Sequence, residues 1–280
     1  MNSRLHPSSP PAAQGHVRAS PDRAALLVVD DLAKHYVTAQ GPFTVLDGIH
    51  LTVQPGEIVC LLGASGCGKS SLLSTIAGLQ PADRGCIYLH GQRIQAPDPR
   101  IGLIFQEAAL LPWLTVQHNV ALGLQLSHMR RLSRPELRSR IDRALLSVGL
   151  EKFHRAYPHQ LSGGMAQRAA IARTIARDPH LLLMDEPFGA LDAITRLEMQ
   201  QLLLGIIAQR HCTALLVTHD LDEALLLGDR ILLMSRHPGR IHREWAITAP
   251  QPRMRHTEDL MALRAEIFTA LSEVMAKTTS

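Results

Sequence analysis

From Leu26 onward the chain alternates short apolar runs with turn residues, at Leu26–Val29, Thr44–Val53, Ile58–Leu62, Ile87–Leu89 and Ile101–Phe105. Runs of this length, rich in β-branched residues and leucine, predict strands. The run Ile58-Val59-Cys60-Leu61-Leu62 is apolar at every position, as a central strand covered on both faces should be. Strand-like runs return at Leu181–Met184, Ala214–Val217 and Ile231–Met234. Helical spacing marks Ser71–Ala77, Gly164–Arg177, Ala193–Gln209, Leu221–Leu227 and a last amphipathic stretch over 257–276. This alternation predicts an α/β fold, a largely parallel sheet with helices on both faces.

Two regions depart from the alternation. Residues 1–24 have no periodicity and several prolines, and read as a flexible leader. Residues 107–160 contain no convincing strand. There Ser133-Arg134-Pro135-Glu136 has the form of a helix start, and Ile141, Leu145, Leu146 and Val148 recur at helical spacing. This segment is expected to form a helical subdomain inserted into the α/β core.

Composition narrows the class. The chain has 280 residues, 46% of them apolar, enough to bury a sizeable core and to exclude disorder for most of its length. A net charge of +4 is too small to point to nucleic acid. Its basic residues cluster over 128–155, with eight basic and three acidic side chains, and over 236–256. The first cluster reads as a solvated helix face or a surface near a membrane partner, and the second as a solvated loop. Cys60, Cys67, Cys86 and Cys212 form no C-x-x-C pair, which fits a reducing compartment better than a disulfide scaffold or zinc site. No signal-peptide core and no run of 18 apolar residues is present, so no membrane span is expected.

The candidate chemistry begins at Gly63-Ala64-Ser65-Gly66-Cys67-Gly68-Lys69-Ser70, a G-x-x-x-x-G-K-S loop between an apolar strand and a helix-compatible run starting at Ser71. Glycines let backbone N–H groups converge on one anion, and the helix start adds partial positive charge. Lys69 should reach the β- and γ-phosphates, and the Ser70 hydroxyl should bind Mg²⁺. A second strand ends in Asp185-Glu186, carboxylates at the end of the sheet where ligands bind. Asp185 is placed to hold Mg²⁺ through water, and Glu186 to polarise an attacking water. Leu161-Ser162-Gly163-Gly164 precedes a long helix and, taken alone, is an ordinary cap.

The order phosphate loop, Gln106, Leu161-Ser162-Gly163-Gly164, Asp185-Glu186, Leu191-Asp192 and His219 resembles the nucleotide-binding subunit of ATP-binding-cassette (ABC) proteins, over about residues 26–240. The resemblance implies a P-loop NTPase (RecA-like) core with a parallel sheet, a small antiparallel β part and an inserted α-helical subdomain. It implies an ATPase domain over 25–245, with 246–280 a C-terminal extension whose helix packs back on the core. Tyr36 resembles the aromatic that stacks on adenine. Gln106 is similar to the glutamine that binds Mg²⁺ and water. His219 resembles the histidine that contacts the γ-phosphate and orients the catalytic Glu186, and Asp192 the aspartate that touches the opposite subunit. Ser162, Gly163 and Gly164 would contact ATP held on the loop of a second copy, so hydrolysis would need a head-to-tail dimer. Met165 and Ala166 depart from the family pattern, in which glutamine and a polar residue are usual, and should alter packing rather than activity.

Leu161 follows Ser70 by only 91 positions, too few for the coiled-coil insertions of DNA-repair members, and one cassette is present where translation members carry two. A transport motor remains, with two integral-membrane permease subunits and a periplasmic binding protein as partners, no nucleic acid, and a place on the cytoplasmic face of a bacterial inner membrane. Phe105–Val116, Leu191–Gln200 (including Thr195–Gln200) and Pro238-Gly239-Arg240-Ile241 resemble importers for nitrate, taurine and aliphatic sulfonates, the sulfonate members most, so an aliphatic sulfonate is the expected cargo, with taurine, nitrate or a thiamine-precursor-like cargo as alternatives. Leu110–Trp113 would be a docking patch for the permease, or core of the helical subdomain. The stretch after the last predicted strand is short for an appended regulatory β-domain.

Overall fold

The computed structural model describes residues 25–39, 41–125, 132–253 and 257–276. The expected leader at 1–24 lies outside them. Two sheets organise the chain. An antiparallel sheet has the order β2-β1-β4-β5, from β1 (Leu27–Thr38), β2 (Gly41–Val53), β4 (Arg84–Leu89) and the short β5 (Gln92–Arg93). The second sheet has the order β10-β9-β3-β8-β7-β6. It contains β3 (Ile58–Leu62), β6 (Ile101–Ile104), β7 (Leu181–Asp185), β8 (Thr213–Thr218), β9 (Arg230–Met234) and β10 (Ile241–Ala246). Strands β9, β3, β8, β7 and β6 are parallel, and β10 closes one edge antiparallel to β9.

The unbroken apolar character of the central strands has a direct cause. Cys60 and Leu62 of β3, Leu182 and Met184 of β7 and Leu216 of β8 point into one hydrophobic cluster. Their neighbours Val59, Leu61, Leu181, Leu183, Leu215 and Val217 point into a second cluster on the opposite face. Successive side chains alternate faces, so a strand buried on both must be apolar at every position. Each such leucine contributes about 1.5–3 kcal/mol by leaving water. The second face is covered by α1 (Lys69–Ile76) and the antiparallel sheet, the first by α4 (Gly163–Ile175), α5 (Ala193–Arg210), α6 (Leu221–Leu227) and α7 (Thr257–Ala276).

Residues 107–160 form the expected helical insertion. It comprises α2 (Val116–Leu122), α3 (Arg134–Ser147) and single 3₁₀ turns at Glu151–Phe153 and Pro158–Gln160, with 126–131 outside the described residues. Ser133 caps α3 by accepting from the Glu136 N–H, and Pro135 sits in the first turn, where its missing N–H costs nothing. Ala144, Leu145 and Val148 join the core while Arg134, Arg138 and Arg143 face solvent, the pattern of a solvated basic face. Fully buried Asn119 accepts from the Leu111 N–H at 2.8 Å and donates to the Leu114 carbonyl at 3.0 Å. This knot fixes the loop that leaves Trp113 69% exposed, whereas Leu110 packs on the core. The core reading thus holds for Leu110, while Trp113 is exposed.

The reading of 236–256 as a solvated loop is corrected. Residues Ile241–Ala246 are a strand, Trp245 is buried, and Arg253 is buried in an ion pair with Asp229 at 3.0 Å. Arg243 pairs with Glu266 of α7 and lies over the Trp245 ring. Helix α7 packs back on the molecule through Ile267, Ala270 and Val274. Among the described residues no helix is long and apolar enough to cross a membrane.

Candidate nucleotide and catalytic site

The parallel strands deliver their C-terminal ends side by side, in the spatial order β3, β8, β7, β6. The phosphate loop follows β3, Asp185 and Glu186 end β7, His219 follows β8, and Gln106 follows β6. Four sequence-distant segments thus meet at one edge of the sheet, the usual ligand position in open α/β folds.

In the loop, Gly66 and Gly68 have φ of +80° and +99°, a backbone region that strains other residues. A Cβ on Gly68 would also strike Leu46 Cδ2 at 2.9 Å. Gly68 caps α1 with no side-chain hydrogen bond, so the first N–H groups of the helix are left for an anion. Buried Lys69 crosses the loop and donates to the carbonyls of Gly63 at 2.7 Å and Ala64 at 3.1 Å. The ammonium is thereby held at the loop before any phosphate arrives. Ser65 and Ser70 are exposed, while Cys67 is buried, its Sγ lying 2.9 Å from where a Cβ on Gly63 would stand. Burial raises the Cys67 thiol pKa, so it stays protonated and acts as packing.

Tyr36 lies in β1, opposite Phe43 of β2. Its hydroxyl bonds Gln80 and, at 3.4 Å, the Ser71 hydroxyl, and Lys34 Nζ lies 5.5 Å from its ring. The aromatic ring therefore stands beside α1.

At the carboxylate end, Glu186 has φ of +45° and its N–H donates to the Val217 carbonyl at 2.9 Å. Its Oε2 is 3.0 Å from Nδ1 of His219. Gln106 reaches over the segment after Glu186: a Cβ on Gly189 would come within 3.2 Å of its Nε2. Asp192 caps α5, its Oδ1 accepting from the Ile194 and Thr195 N–H groups at 3.1 Å; the hydrogen bond with the Thr195 side chain leads the effects that lower its pKa. Glu186, His219 and Gln106 are brought together with the strand ends. Ser162, Gly163 and Gly164 stand at the start of α4. Ser162 caps α4 by accepting from the Met165 N–H at 3.2 Å, and among the described residues no hydrogen bond joins 162–164 to the phosphate loop. A Cβ on Gly164 would lie 2.5 Å from Thr195 Cγ2, so α4 approaches α5 this closely only with glycine; Gly163 has open space around it.

Ser70, Gln106 and Asp185 offer hydroxyl, amide and carboxylate oxygens, the donor set that suits Mg²⁺. Among the described residues no group of three or more His, Cys, Asp or Glu gathers as a self-sufficient metal site.

The ABC transporter family model matches residues 46–189. The chain belongs to this ABC transporter family. An aliphatic sulfonates import ATP-binding protein of Bacillus subtilis (strain 168) is 44% identical over 226 residues, covering 81% of this chain and 86% of that protein. A bicarbonate transport ATP-binding protein of Synechococcus elongatus is 44% identical over 245 residues, covering 88% and 87%. Among solved structures, the ATP-binding cassette MJ0796, a dimer in a post-hydrolysis state bound to ADP and Pi, matches with TM-score 0.70 and 32% identity, over 80% of this chain and all (100%) of that one. This ABC chain is therefore an ATPase with the α/β P-loop fold expected of it.

The ABC fold also recruits residues to which the sequence assigned no role. Buried Gln167 of α4 donates to the carbonyls of Phe105 and Pro187, both at 3.0 Å, tying the segments that carry Gln106 and Glu186 to one helix. Arg173, two residues before the end of α4, donates to the carbonyls of Ala108 and Ala109 at 2.9 and 2.7 Å. Glu223 lines a small cleft with Glu186, Gly189, Arg196, Thr218, His219 and Asp220, and burial pushes its carboxyl up to about 7. The signal for Gln167 and Glu223 was a polar residue on the otherwise apolar face of its helix.

Proposed function

We propose that the chain is the energy-coupling subunit of an importer, binding ATP on residues 63–71 and hydrolysing it with Glu186, and that the cargo is an aliphatic sulfonate. The observation that carries the site reading is the meeting of the Lys69 loop and the Glu186–His219 pair at neighbouring strand ends. Tyr36 stacks on the adenine, and the N–H groups of the loop and of α1, with Lys69, hold the phosphates. Glu186 polarises the attacking water; His219, through Nδ1, fixes the carboxylate and keeps Nε2 for the γ-phosphate. Ser70, Gln106 and Asp185 would hold Mg²⁺, which supplies neutralisation of charge on the phosphates. Ser162, Gly163 and Gly164, joined to their own loop by no hydrogen bond among the described residues, serve the nucleotide of a second copy, and Asp192 sits at that interface. The dimeric state of the related MJ0796 cassette supports this arrangement. The dimer docks through Trp113 and its surroundings on two permease subunits at the cytoplasmic face of the inner membrane, with a periplasmic binding protein delivering cargo.

Glu186→Gln should bind ATP as the wild type does, lower turnover by about 10²–10⁴-fold and accumulate as a dimer on size exclusion with ATP. Lys69→Ala should lose nucleotide binding. Normal turnover in Glu186→Gln removes Glu186 from the chemistry. That one sulfonate relative and one bicarbonate relative are each 44% identical to the chain supports a small oxyanion cargo as the second reading. Uptake of labelled alkanesulfonate, taurine, nitrate and bicarbonate by the assembled transporter decides between them.

A further inference from the structure

The turn Ser235–Arg240 between β9 and β10 is built against the phosphate loop. Gly239 donates its N–H to the Val45 carbonyl at 2.8 Å and accepts from the Asp47 N–H at 3.1 Å. A Cβ on Gly239 would stand 2.4 Å from the Cys67 carbonyl oxygen, so the turn's backbone lies directly on the loop. Gly68 meets the same strand from the other side, where its Cβ would come within 3.0 Å of Val45 Cγ1. The loop, β2 and the turn thus form one closed frame. From that frame Arg236 extends its guanidinium to the Ser65 carbonyl. Its neighbours Arg240 and Arg243 are neutralised by Asp47 and Glu266, whereas among the described residues no carboxylate lies in ion-pair reach of Arg236. Its Nε is buried without a hydrogen-bond partner. An uncompensated, partly desolvated cation tethered to a phosphate-binding loop is costly unless an anion shares its surroundings.

We propose that Arg236 is a positioning residue of the nucleotide site: it holds the outer arm of the phosphate loop through Ser65 and adds a second positive charge, beside Lys69, to the field that draws in the triphosphate. The proposal rests on the reading of residues 63–71 as the ATP site. Burial raises the Cys67 thiol pKa, and the charges of Lys69 and Arg236 both oppose that rise, which places the two cations about the same loop. A charge-assisted hydrogen bond to a carbonyl fixes the arm, and the unshared charge acts at the range of a few ångströms.

The test is equilibrium titration of the full chain with a fluorescent ATP analogue, together with steady-state ATPase and thermal melting, for wild type, Arg236→Ala, Arg236→Lys, Arg236→Gln and Lys69→Ala. Arg236→Ala should weaken nucleotide binding and raise KM about tenfold, leave kcat within about twofold and leave Tm unchanged. Arg236→Lys should recover most of the affinity and Arg236→Gln little of it, because charge and not bulk is required. Salt should weaken wild-type binding more steeply than binding to Arg236→Ala. Wild-type affinity in Arg236→Ala overturns the proposal. So does equal weakness of the Lys and Gln variants with lowered Tm, which would make Arg236 a packing residue. Those two variants decide the matter if Arg236→Ala does not fold. If wild type binds nucleotide and Lys69→Ala does not, a null result at Arg236 sinks this proposal alone; if wild type binds none, the site reading itself falls.

Discussion

Glu223 is buried beside the catalytic cleft, with Oε1 facing no hydrogen-bond partner and Oε2 3.4 Å from Gln200 Nε2. Desolvation, aided by the nearby Asp220, lifts its pKa to about 7 from 4.5, against weaker opposing help from Thr218, Gln200 and Arg196. The sign follows from proton counting. Below the unfolded pKa both states are protonated and the group costs nothing. As pH rises from about 4.5 to about 7 the unfolded chain releases the proton first, so stability falls across that window and the full cost stands above it. Glu223→Gln should therefore be more stable than wild type at pH 8, by an amount of order 1–3 kcal/mol, with the difference vanishing below pH 4.5, as read by urea unfolding at both pH values. A second single-residue prediction concerns Gly164. With Thr195 Cγ2 only 2.5 Å from its added Cβ, Gly164→Ala must push the start of α4 away from α5. Nucleotide binding by the isolated chain should survive and ATPase should fall at least tenfold, because Ser162 and Gly163 ride on that start. Unchanged ATPase would detach this helix start from catalysis.

At the scale of elements, burial on two faces decides what can be read ahead of the structure. Strands β3, β7 and β8 announce themselves because each position must be apolar, and α6 was legible to the residue because Asp220 caps it and Gly228 ends it. Strand β10 stayed hidden: Ile241-His242-Arg243-Glu244-Trp245-Ala246 is an edge strand whose pattern is mostly polar, held by pairing with β9 rather than by its own composition. β5 is two exposed residues, and β1 runs nine residues beyond its apolar start because β2 supplies the partner groups. The phosphate loop and the Asp185-Glu186 pair were legible because their geometry is local. Gln167, Glu223 and Arg236 were not, since each acts on a segment distant in sequence. Within the helical insertion, α3 allows a paired test. Leu145 is buried in the main core and adjacent Leu146 is 66% exposed. Leu145→Ala should cost about 2–5 kcal/mol by urea unfolding and Leu146→Ala less than about 0.5 kcal/mol. Equal effects would mean that α3 is rotated from the position described.

For the whole molecule, the proposed two-chain site rests on two segments, the phosphate loop and Ser162–Gly164, that no hydrogen bond joins among the described residues. The phosphate loop is framed by β2 and the 235–240 turn, whereas Gly164 packs closely on Thr195 of α5. The site as proposed, completed only by a second copy, makes a two-fold, head-to-tail pairing the economical solution. It also makes a complementation experiment diagnostic. Lys69→Ala removes the loop's cation, and Ser162→Arg blocks the other half-site with bulk and charge while leaving nucleotide binding by the isolated chain intact. Each variant alone should be inactive, because both composite sites of its dimer carry a defect. In a mixed dimer the two defects fall together in one site and leave the other whole. Mixed in equal amounts and exchanging freely, the pair should recover roughly a quarter of wild-type ATPase, since about half the dimers are mixed and each has one working site. If no activity returns while mass photometry shows mixed dimers forming, the two sites act only in concert. If either variant is active on its own as a monomer, hydrolysis is completed within one chain and the shared site is wrong.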